Sequence, residues 1–100
     1  MYMLVTIRPI YARLGEFERL TGRLLPAYRS NGWELVGAYR VVAGDCPRYL
    51  HLWRIDDANS ATDGLTGSIP PAYADDFGAV IETIASESFE LLVDASYAGE

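Results

Sequence analysis

Tyr49-Leu50-His51-Leu52-Trp53-Arg54-Ile55-Asp56-Asp57 is the stretch on which the fold turns. Its alternation marks a strand that sets Tyr49, His51, Trp53 and Ile55 on one face and Leu50 and Leu52 on the other. His51 is the only histidine of the chain and Trp53 one of its two tryptophans. An aromatic wall buries apolar substrate while an imidazole orients or exchanges a proton, so the pair suits a ligand pocket. The same rings would also serve as ordinary core.

Upstream, 33–42 reads as a second strand and 48–55 as its partner, joined by the turn-rich Ala43-Gly44-Asp45-Cys46-Pro47. So short a connection predicts an antiparallel hairpin. Regular alternation would put Trp33, Leu35, Tyr39 and Val41 opposite Val36, Ala38 and Val42. Further back, residues 3–10 predict a strand with Met3, Val5 and Ile7 on one face and Leu4, Thr6 and Arg8 on the other, Pro9 sitting at its edge.

Between them, residues 15–30 carry Phe17, Leu20, Leu24 and Tyr28 at helical spacing, with Glu16 and Glu18 early and Arg29 late. Pro26 predicts a kink or a second short segment, and Asn31-Gly32 a left-handed stop. Downstream, 56–69 predicts a short helix capped near Asp56 or Asp57. Pro70-Pro71 then opens a helix bearing Tyr73, Phe77, Val80, Ile81 and Ile84, and 89–97 closes as a strand with Phe89, Leu91, Val93, Ala95 and Tyr97 on its apolar face.

This order predicts a single domain over residues 1–100. Its class is α+β: a ferredoxin-like sandwich with helices on one side of a four-stranded antiparallel sheet. Both strand faces carry bulk, yet the helices cover only one. A homodimer packed sheet to sheet is the economical cover for the other.

Composition narrows the function. Half the residues are hydrophobic, and no apolar run approaches the roughly 20 residues of a membrane span. The opening residues lack a secretory pattern, which predicts a cytoplasmic protein. Eight cations, all arginine, against fourteen acids give a net charge of −6, which repels a phosphate backbone and argues against nucleic acid as partner. The lone Cys46 excludes an intrachain disulfide and reads as an incidental thiol. Asp56-Asp57 and Asp75-Asp76 suit capping or solvent better than metal, and Gly64 and Gly67 lack the strand that a phosphate loop needs.

Several of these residues together resemble the NIPSNAP-like members of the dimeric α/β-barrel superfamily. The likeness runs along nearly the whole chain: the first strand with Arg8, the Gly15-Glu16-Phe17 helix start, Leu25-Pro26, Gly32, His51-Leu52-Trp53-Arg54 followed by Asp56, and Tyr73 after Pro70-Pro71. Pro9-Ile10 departs from the threonine-tyrosine pair of relatives. Superfamily relatives include cofactor-free monooxygenases, cyclases and isomerases of polyketide intermediates, and haem-degrading enzymes. The resemblance implies a dimeric barrel and a cavity between helices and sheet, lined here by Arg8, Tyr39, His51, Trp53 and Tyr73. Arg8 would hold an enolate or carboxylate, or else pair with Glu90 or Asp94, and His51 would act as general base. Trp53, Tyr39 and Tyr73 would hold substrate, with no cofactor and no metal. The expected function is a small enzyme that oxidises, cyclises or isomerises an aromatic or polyketide-like intermediate. A non-catalytic binding protein and an accessory dimer are the alternatives.

Overall fold

The computed structural model describes residues 1–61 and 69–98. Strands β1 (Tyr2–Pro9), β2 (Glu34–Arg40), β3 (Tyr49–Arg54) and β4 (Ile84–Leu92) form one antiparallel sheet in the order β2-β3-β1-β4. Helices α1 (Leu14–Arg29) and α2 (Ala74–Ile81) pack on one of its faces. This is the expected ferredoxin-like α+β sandwich. Among the described residues no helix is long and apolar enough to cross a membrane.

Alternation in β1 decides what the helices cover. Met3, Val5 and Ile7 are buried, while Leu4, Thr6 and Arg8 look the other way and are only half-buried. In β3 the buried set is Tyr49, His51 and Trp53. Their partners across the ladder are Ile7, Val5 and Met3, so the two central strands supply one continuous floor. From α1, Phe17, Leu20, Leu24 and Ala27 descend onto that floor at helical spacing. Phe17 meets the Tyr49 ring at 4.9 Å, and the Tyr49 hydroxyl donates to Glu18, which fastens α1 to β3.

Pro26 does not split α1. It lies in the last turn, so the ring removes a single bond of the helix ladder while Leu24 and Ala27 on either side stay buried. The helix then ends as expected, with Gly32 at φ 84° and its N–H donating to the Arg29 carbonyl at 3.0 Å.

The 33–55 hairpin forms as read, with one departure that moves a candidate site residue. Leu35 pairs with Trp53, but Gly37, not Val36, pairs with the next residue, Leu52. Val36 is thus an extra residue, a bulge, and every later side chain of β2 changes face. Ala38 and Arg40 therefore join the helix-covered side opposite His51 and Tyr49, and Tyr39 goes to the outer face opposite Leu50. The connection that follows holds Gly44 at φ 103° and a cis Cys46-Pro47 bond.

The second half differs in its boundaries. Asp57 caps a helical turn at 58–61, its Oδ1 accepting the Ser60 N–H at 2.8 Å, and the remainder of the short helix expected over 56–69 falls at 62–68, outside the described residues. α2 stops at Ile81, so Ile84 begins β4 and does not continue the helix. Thr83 makes the turn: fully buried, its hydroxyl donates to the Val80 carbonyl at 2.6 Å, while its own carbonyl accepts the Ile10 N–H at 2.7 Å. The expected closing strand over 89–97 correspondingly begins five residues earlier and ends at Leu92, which pairs with Tyr2. Beyond Tyr2 there is no β1 left to pair with, and Val93 and Tyr97 are exposed.

Candidate functional site

Between the helices and the sheet lies a cavity of about 320 Å³, within the range of small-molecule sites. Its floor is legible in the register. His51, Val5 and Phe89 lie in one row across β3, β1 and β4, and Ile7 and Glu87 lie in the next across β1 and β4. With strands about 4.8 Å apart, His51 and Phe89 flank Val5 across roughly 10 Å of floor. α1 contributes Phe17, Thr21 and Tyr28 to the walls, and α2 contributes Phe77, Val80 and Ile81.

One wall is an aromatic cluster. Trp33 and Trp53 lie 5.6 Å apart at 56°, and Tyr28 meets Trp53 edge-on at 5.9 Å and stacks over Trp33 at 6.5 Å. Such offset and edge-on pairs are worth roughly 0.5–1.5 kcal/mol each beyond their buried area. The Trp33 indole N–H donates to the Ser60 carbonyl at 3.2 Å, which turns its one polar group out of the apolar wall.

His51 is 8 % exposed, and its ring nitrogens make no hydrogen bond to the described residues. Burial lowers its pKa, so the imidazole stays neutral at physiological pH with one nitrogen free to accept a proton. Tyr28 moves the other way. Burial, with a smaller contribution from the negative charge of Glu87, pushes its hydroxyl up to about 12, so it remains a hydrogen-bond donor. Glu87 lines the cavity from the edge strand β4, and partial desolvation raises its carboxyl. Among the described residues no three His, Cys, Asp or Glu side chains converge as a metal site would require.

The five residues expected to form the pocket do not gather. His51 and Trp53 line it. Tyr39 is 59 % exposed on the outer face, sent there by the bulge. Arg8 also faces outward, where it forms neither of the ion pairs expected with Glu90 or Asp94. It holds Asp45 by two hydrogen bonds of 3.0 and 2.7 Å. Tyr73, on a short turn before α2, packs half-buried against the core without lining the cavity. An enolate in this cavity would therefore find no Arg8. The polar lining groups absent from the sequence-predicted site are Thr21, Tyr28 and Glu87. Tyr28 belongs by spacing to the apolar helix face, and Glu87 lies two residues before Phe89, on the same face of any strand that includes both.

Fold and site together define an α+β sandwich with a small-molecule cavity between helices and sheet. No protein-family model matches the sequence, and no curated protein is significantly similar to it. Solved structures do share its fold. A NIPSNAP family protein from Agrobacterium tumefaciens superposes with a TM-score of 0.82 at 12% identity, over 96% of this chain and 86% of that one. An uncharacterized NIPSNAP domain protein from Burkholderia xenovorans gives 0.78 at 15% identity, over 99% and 98%. SnoaB, a cofactor-independent oxygenase from Streptomyces nogalater, gives 0.63 at 12% identity, over 95% of each chain. The chain thus has the fold of NIPSNAP domain proteins and of dimeric α/β-barrel monooxygenases.

Proposed function

We propose that the protein is a small cofactor-free enzyme that removes a proton from an aromatic or polyketide-like substrate in this cavity, with His51 as the general base. The observation that carries the reading is a desolvated, neutral imidazole on the floor of an aromatic-walled cavity. The shared fold of a cofactor-independent oxygenase lends support.

The chemistry follows from what each side chain offers. An acidic C–H or phenolic O–H of the substrate gives its proton to His51, and the ring system delocalises the remaining electron pair. Tyr28, held protonated, is the one lining hydroxyl on the aromatic wall able to donate to a developing oxyanion. The carbanion then reacts with dioxygen, closes on a carbonyl of its own chain, or is reprotonated elsewhere, which are oxidation, cyclisation and isomerisation respectively. All three share the first proton transfer.

That shared step supplies the test. β-Tetralone, a two-ring ketone with acidic C–H bonds, is incubated in D₂O and its deuterium uptake followed by mass spectrometry. Uptake above the buffer rate that disappears in His51→Phe supports the reading. Binding without any catalysed exchange would replace it with a non-catalytic binding protein.

We also propose that the functional unit is a homodimer. Leu4, Leu50 and Leu52 stay only half-buried on the face that the helices leave uncovered, with exposed Tyr39 beside them. A second copy of that face is the self-complementary cover.

A further inference from the structure

Glu87, exposed on the edge strand β4, brings a carboxylate to the cavity. Glu87 is the one charged side chain among its described lining residues, and no arginine lines it. The arginines are committed elsewhere. Arg8 and Arg48 pair with Asp45, Arg13 with Glu16, Arg23 with Asp76, Arg40 with Glu18 and Arg54 with Glu34. Arg19 and Arg29 are exposed on α1, and residues 62–68 contain no arginine.

Glu87 itself is unpaired among the described residues. Tyr49, its neighbour two strands away in the same row, has its hydroxyl engaged with Glu18. An anionic ligand entering here would lose hydration, gain no cation and approach a carboxylate. A ligand with an O–H or N–H at the same place would meet a free acceptor, and the charge-assisted bond would be a strong one.

Resting on the reading of this cavity as a small-molecule site, we propose that it takes an aromatic ligand bearing a hydrogen-bond donor, a phenol or an ammonium, and rejects the corresponding carboxylate. Glu87 is the residue that sets this preference. The substrate of the enzyme is then a phenolic or enolic compound without a carboxylate, not an aromatic acid.

The single histidine gives the experiment its reporter, because the Cε1 proton of His51 yields one resonance from within the cavity. β-Naphthol, naphthylmethylamine and β-naphthoate are titrated at neutral pH and affinities read from that resonance. The first two shift it, and the naphthoate binds weaker by about tenfold or more. In Glu87→Gln the gap closes to within about threefold, and Glu87→Ser repeats the result as an independent control on folding. Naphthoate binding as tightly as naphthol to the native chain, or a gap that Glu87→Gln leaves unchanged, overturns the proposal while leaving the cavity reading intact. A His51 resonance that none of the three moves overturns both.

Discussion

Arg8 grips Asp45 through two parallel hydrogen bonds, Nη1 to Oδ1 at 3.0 Å and Nη2 to Oδ2 at 2.7 Å, from the side of the sheet that the helices leave bare. The pair ties β1 to the connection between β2 and β3, and the guanidinium holds the Asp45 carboxyl below its usual range. Both partners are solvent-exposed, so the tie is screened by salt.

Arg8→Gln is therefore expected to leave ligand affinity in the cavity within about twofold, since the side chain touches nothing there. Amide exchange at Gly44 and Asp45 should quicken relative to the native chain, most where Asp45 is ionised and less as pH falls and its carboxyl takes up a proton. The sign follows from the lowered pKa: the stabilisation is present above the unfolded carboxylate value and fades as pH falls through the folded one. A large loss of binding in Arg8→Gln would return the arginine to the site.

His51→Phe keeps ring volume and removes the base. Deuterium exchange into substrate should fall by about a hundred- to ten-thousandfold while affinity for an apolar ligand is largely retained. In the native protein the rate should rise with pH and level off below the ordinary imidazole value of about 6.5. Stability carries the same signature. A histidine whose folded pKa is depressed binds its proton more readily when unfolded, so native stability drops as pH falls from about 6.5 toward the folded value. Urea midpoints of His51→Phe should lack that part of the decline.

Trp53 is 2 % exposed and touches both Tyr28 and Trp33. Trp53→Ala should cost about 3–5 kcal/mol in denaturant unfolding, the scale of a large cavity in a close-packed core. Trp53→Phe should cost less and enlarge the binding space, which a bulkier ketone would reveal by tighter binding.

Leu52→Glu places a charge on the proposed sheet-to-sheet interface without touching the cavity side. Sedimentation velocity should show the native chain as a dimer and the variant as a monomer. A native monomer at micromolar concentration would end the dimer proposal.

The order of strands and helices was legible because period-two and period-3.6 patterns are written into Val5, Ile7, His51 and Trp53, and into Phe17, Leu20 and Leu24. The junction at Thr83 was not. Ile84 falls by coincidence on the apolar stripe of α2, and Ala85-Ser86-Glu87-Ser88 has little strand propensity, so an edge strand looked like a helix end and a loop. The site suffered from the same two sources. Glu87 hides in the polar run, and alternation alone puts Tyr39 on the wrong face because a bulge leaves nothing to count across it. The glycine at 37 was the available hint, as glycine inside a strand marks bulges and close approaches. Here a Cβ at Gly37 would come within 2.4 Å of the Tyr39 hydroxyl, so that ring lies against the glycine.

The extra residue at Val36 has a wider consequence. With it, the inner face of β2 sets Ala38 next to His51 and sends Arg40 to within 3.6 Å of Glu18, and Tyr39 faces out. Counted without it, the inner positions of the same strand would hold Gly37 and Tyr39 instead. Strand length, more than any single substitution, thus governs which β2 side chains stand beside His51 and which reach α1, and insertion or deletion at one position of β2 would exchange the Arg40–Glu18 tie for a different strand-to-helix contact.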